Sequence, residues 1–220
     1  MSDLTFHRYS PGERLADGIV HGLGLAFAAA IGPALIVVGL RSGETSPALA
    51  VAVYAMSLIA MLSLSAAYNL TRPSRAKAVL RRLDHAAIFV MIAGTYTPIM
   101  QILLHPEGGP WLVRALWLLA AVGVGLSVYR PELERRVGVP LALLMGWSIV
   151  PLARPLIAAA STSVLALLLA GGVLYTVGVG FHLWKRLKYH NAVWHLLVLA
   201  AAICHSLAIL ELVSALPRSG

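Results

Sequence analysis

Ser65 and Asn69 in SAAYN, Asp84 and His85 in LDHAAIF, and Asn191 and His195 in YHNAVWH are polar side chains at the mouths of long apolar runs. Imidazole and carboxylate groups can hold a metal ion, exchange protons or form a hydrogen-bonded pair, whereas an amide oxygen is a weak zinc ligand. Ser65 and Asn69 are four residues apart, as are Asn191 and His195, so each pair shares one face of a helix. Asp17 and His21 have the same relation. Burying such groups in hydrocarbon is costly unless they pair, ligate or line a polar cavity, and their recurrence at one end of several runs marks a functional site. His205 lies ten residues beyond His195, about 15 Å along one helix, too far to share an ion with it.

The elements that position these residues follow from composition. Of 220 residues, 59% are hydrophobic and 12% charged, and the mean hydropathy is +0.82; a soluble domain carries roughly twice that charge. Seven apolar stretches approach the length that crosses about 30 Å of hydrocarbon as a helix. They run from Ile19 to Leu40, Ala48 to Leu70, His85 to Leu104, Leu112 to Tyr129, Val137 to Ala153, Ser163 to Leu183 and Ala192 to Val213. The expectation is an all-α, seven-transmembrane bundle: one integral membrane domain over residues 1–220, with a short N-terminal segment 1–18 and helices within 19–213. The fifth span is short and has Pro140 and Pro151 near its ends. No cleavable signal peptide is expected, because the polar start leads straight into a full span. The lone Cys204 supports neither a disulfide framework nor a cysteine metal cluster.

The net charge of +8 is unevenly distributed. Arg8, Arg14, Arg72, Arg75, Lys77, Arg81, Arg82, Arg130, Arg135, Arg136, Lys185, Arg186 and Lys188 fall on one side of the seven spans, and Arg41, Arg114, Arg154 and Arg218 on the other. The positive-inside rule then places the N-terminus in the cytoplasm and the C-terminus outside, in a bacterial plasma membrane. The basic Arg72 to Arg82 segment suits anionic lipid headgroups as a partner; nucleic acid is not expected. In this orientation Asp17, His21, Asn69, Asp84, His85, His182, His190, Asn191 and His195 all gather toward the cytoplasmic side. In IAGTYTPIM, Gly94 permits close helix approach and Pro98 frees a carbonyl, which predicts a packing kink in span 3.

ERLADGIVHGLG, SAAYN, LDHAAIFVMIAGTYTP and YHNAVWHLLVLAAAICH together resemble the bacterial hemolysin III family, within the larger family of progestin and adiponectin receptors. The resemblance runs over essentially all seven spans and implies a metal-dependent membrane hydrolase of the ceramidase type. Its zinc-binding members use a Ser and a His on span 2, an Asp at the start of span 3 and His-x-x-x-His on span 7. Those positions are Ser65, Asn69, Asp84, Asn191 and His195 here, so two of three imidazole ligands are replaced by amides. The expected centre is therefore Asp84, His195 and Ser65 as catalytic groups, with His195, Asp84, Asn69 and Asn191 as the degenerate zinc set. His21, His85 and His190 are further pocket candidates that could restore a ligand. Three functions remain open: hydrolysis of a lipid amide or ester, lipid binding or membrane sensing without catalysis, and ion or proton conduction.

Overall fold

The computed structural model describes residues 9–105 and 108–216. Arg8 and Arg218 of the charge pattern, and most of the first half of the segment 1–18, lie outside the described residues. The fold is all-α, with α1 (Pro11–Arg41), α2 (Thr45–Leu70), α3 (Arg75–Leu103), α4 (Gly109–Tyr129), α5 (Pro131–Gly146), a single 3-10 turn, α6 (Ala153–Ala159), α7 (Thr162–Leu183) and α8 (His190–Ser214). Seven segments are long and apolar enough to cross a membrane, α5 to α6 counting as one.

Polar chemistry at the helix ends explains where they start. Ser10 and Glu13 form a capping box, with Pro11 opening α1 ahead of the apolar run at Ile19, because the missing proline N–H is one that a first turn leaves unpaired anyway. Ser74 caps α3 through Lys77 N, and the Lys77 ammonium donates to the Tyr68 and Thr71 carbonyls at 2.9 and 2.8 Å, closing the end of α2. Lys77 is thus committed to a helix end and drops out of the basic lipid-facing set. The fifth span differs from the sequence expectation. It begins at Pro131, tolerates Pro140 within α5, then breaks after Gly146 and resumes through the turn at Val150–Leu152, so Arg154 sits in helix α6 and not in a connecting loop.

α3 runs through the core. Phe89, Met91, Ala93, Ile99 and Met100 are buried on it, and α4 carries a glycine where it approaches: Gly123 lies so close against the Phe89 ring that a Cβ there would clash with it. α3 runs unbroken through Pro98, and just before it Thr95 and Thr97 donate to the Met91 and Ala93 carbonyls at 2.8 Å each. Tyr96 donates to Gly146 O at 2.6 Å, meeting the carbonyl where α5 stops. Large apolar side chains such as Leu15, Leu23, Met56, Leu118, Val122 and Leu169 point outward, the surface of a bundle whose solvent is lipid.

Candidate metal centre

The start of α1, the end of α2 and the starts of α3 and α8 meet at one end of the bundle. A single carboxylate fastens two of them: Glu13 accepts from its own capping residue Ser10 and, at 3.1 Å, from the backbone N–H of Tyr189. Tyr189 occupies the left-handed region at φ 62°, which turns the chain sharply into α8, and its phenol lies over Gly12. Tyr9 packs beside His190 with ring centroids 5.9 Å apart, and burial pushes its phenol pKa up to about 12. Burial likewise lowers that of Lys185 in the α7–α8 connection.

One turn deeper, the three i, i+4 pairs converge. His195 Nδ1 donates to Asp17 Oδ1 at 2.6 Å, and Asn191 Nδ2 donates to Asp17 Oδ2 at 3.1 Å. Asn191 Nδ2 also donates to Asn69 Oδ1 at 3.3 Å, and Asn69 Nδ2 donates to the Ser65 carbonyl at 3.0 Å. His21 Nε2 stands 3.6 Å from Asp17 Oδ2, and its ring lies 4.4 Å from that of His195, centroid to centroid. His21 is only 5% exposed, and its Nε2 is buried without a hydrogen-bond partner. Asp17, His21 and His195 each offer a ligand atom within 4.8 Å of the others, a buried two-histidine, one-aspartate cluster capable of holding a metal ion.

Asn69, Asn191, His195 and His21 are therefore brought together, and Asp84 and Ser65 border them: the Asp84 carboxyl is half-buried on α3 beside the Ser65 side chain and within electrostatic reach of His195 and His21. The acid bonded to His195 is Asp17. His85 and His190 go elsewhere. His85 Nδ1 faces Glu134 of α5 at 3.0 and 3.1 Å, and His190, 1% exposed, packs with Tyr9. His182 packs at a tilt against Trp194, while His205 donates to Leu168 O at 3.3 Å over Gly171. Asp17 was visible in sequence only as a helical partner of His21; its bond to a residue 178 positions away had no local signal. Glu13 and Glu134 gave none beyond a capping pattern and a charge near a proline.

The donor chemistry separates two ways of holding a metal. At Asn69 and Asn191 it does not fit: both are neutral amides, and the Asn69 oxygen already accepts from Asn191. At Asp17, His21 and His195 it does fit, since two imidazoles and a carboxylate are ordinary ligands of zinc and one buried nitrogen has no other partner.

Fold and centre together define a multi-pass helical membrane protein with a buried His/Asp cluster at one end. The model of the Haemolysin-III related family matches residues 13–206, and the chain belongs to that family. It is 32% identical over 190 residues to Hemolysin-3 of Bacillus cereus, covering 86% of this chain and 87% of that one. It is 30% identical over 190 residues to the Hemolysin-3 homolog of Bacillus subtilis, covering 86% and 89%, and 28% identical over 171 residues to the human Monocyte to macrophage differentiation factor, covering 71% and 67%. No solved structure matches the chain.

Proposed function

We propose that the protein is an intramembrane hydrolase of a lipid amide or ester, oriented with its centre toward the cytoplasm of a bacterial cell. The observation that carries this reading is the 2.6 Å bond between His195 Nδ1 and Asp17 Oδ1 in a pocket bordered by Asp84 and Ser65. With the carboxylate accepting at Nδ1, the imidazole is held in one orientation and one tautomer, leaving Nε2 to take or return a proton. Asp84 approaches from α3 as a second carboxylate suited to orient a water molecule, and the Ser65 hydroxyl is placed to donate to an oxygen that becomes negative. A divalent metal, where bound, would polarise the scissile carbonyl and make bound water more acidic.

The test is product formation by the full-length protein in lipid nanodiscs carrying ceramide or phospholipid, with released fatty acid measured by mass spectrometry. Release that falls at least about 100-fold in Asp84→Asn and in His195→Gln supports the hydrolase. No release from either lipid class above that of empty nanodiscs overturns it.

A second function, lipid binding without catalysis, is favoured by one specific contact. The Asn69 and Asn191 side chains are hydrogen-bonded to each other, Asn191 also to Asp17 and Asn69 to the Ser65 carbonyl, so that both amides are satisfied without any ligand. Co-purified lipid that is retained without turnover, and displaced by Asn69→Leu, would support this alternative.

A further inference from the structure

We infer that the metal site of this chain has moved: Asp17, His21 and His195 are its ligands, on α1 and α8, while Asn69 and Asn191 have become the hydrogen-bonded support of the Asp17 carboxylate. The inference rests on the hydrolase reading only for the chemistry such a metal would serve.

Two independent observations point to a cation. One is the donor set, in which one ligand atom from each residue lies within 4.8 Å of the others. The other is His21 Nε2, a buried polar atom without a hydrogen-bond partner that faces Asp17 Oδ2 across 3.6 Å. Zinc bonds of about 2.0–2.2 Å at tetrahedral angles put neighbouring ligand atoms roughly 3.3–3.6 Å apart, so this edge is already spaced for an ion. His195 Nδ1 is 2.6 Å from the other oxygen, Oδ1, in a hydrogen bond whose proton an entering metal would displace.

The amides complete the arrangement. Asn191 donates to Asp17 Oδ2, Asn69 accepts from Asn191, and Asn69 in turn donates to the α2 backbone at Ser65. A chain of hydrogen bonds therefore runs from the α2 backbone to the carboxylate and fixes its orientation, which is how groups behind the ligands of a metal site act. A histidine at position 191 could not give this: an imidazole has one N–H in its neutral form, whereas Asn191 Nδ2 serves two acceptors at once. Three protein ligands leave a fourth position open for water or a substrate oxygen.

The test titrates purified full-length protein, stripped by a chelator and held in detergent, with Co2+ read by visible absorption and with Zn2+ in competition. Wild type is expected to bind about one equivalent with a tetrahedral cobalt spectrum. His21→Gln and Asp17→Asn should each weaken binding by more than about 100-fold, Asn191→Ala by about 10–100-fold, and Glu134→Gln not at all. Wild-type affinity in a folded His21→Gln protein overturns the inference. So does a wild type that takes up no cobalt while Asn69→His combined with Asn191→His does. Where a ligand variant fails to fold, X-ray absorption of cobalt-loaded wild type decides: two imidazoles in the coordination shell support the site, a single imidazole overturns it. The two readings fail separately. Cobalt binding without lipid hydrolysis supports the site and ends the hydrolase; hydrolysis by a protein that takes up no cobalt ends the site and leaves the hydrolase standing.

Discussion

The bundle contains two imidazole–carboxylate pairs of similar make, and they are used differently. His85 and Glu134 join α3 to α5, and both carboxylate oxygens lie at about one distance, 3.0 and 3.1 Å, from the same ring nitrogen. That carboxylate spends both oxygens on one ring. Asp17 instead divides its oxygens, Oδ1 to His195 and Oδ2 to Asn191, with His21 facing Oδ2. Three side chains therefore converge on one aspartate, two from α8 and one from its own α1, while Glu134 serves as a single tie to one ring. Chemistry needs an acid with a nitrogen left over beside it, and among the described residues the Asp17 group provides it in His21 Nε2. A partnership between histidine and carboxylate is by itself only a fastening.

That contrast can be broken by removing each acid in turn. Asp17→Ala leaves His195 buried without its acceptor, takes one of two acceptors from Asn191, and should lower stability by about 3–5 kcal/mol, seen as a fall in the thermal midpoint of the detergent-solubilised protein. An Asp17→Ala effect no larger than that of Glu134→Ala would erase the distinction. Chelation comes next. At metal concentrations about 100 times Kd, bound metal adds about 2.7 kcal/mol, so a chelator should lower the midpoint of wild type and of Glu134→Gln alike and leave His21→Gln unmoved. Asn191→Ala removes one donor to Asp17 and one to Asn69 and should cost about 1–3 kcal/mol, measured in the same unfolding experiment. The smallest change is expected for Glu134→Gln, which still accepts from His85 and should cost about 0.5–1.5 kcal/mol, with cobalt binding intact. A loss of cobalt binding in that variant would mean the two pairs are coupled through α3.

Much of this architecture could be read from the chain. Apolar runs of membrane length located seven spans, and the four-residue spacing of Ser65 with Asn69, Asp17 with His21 and Asn191 with His195 paired the polar side chains correctly along their own helices. The family resemblance grouped Asn69, Asn191 and His195, and these side chains do meet at one end of the bundle. Three features escaped. The break after Gly146 comes where Tyr96 reaches across from α3 and donates to the Gly146 carbonyl. His85 left the centre because Glu134 of α5 offered it a carboxylate. His190 left it because adjacent residues on a helix point about 100° apart, and the left-handed Tyr189 set the turn that aimed Asn191, rather than His190, at Asp17.

The sequence alone determined that this chain lives in a bilayer, how many times it can cross, and which side chains share a face, because hydrophobic length and helical period are local properties. Which acid His195 would hold was decided only in the folded bundle. Asp17, Asp84 and Glu134 are all carboxylates near helix starts, and choosing among them depends on how helices distant in sequence are packed, with ångström differences deciding each bond.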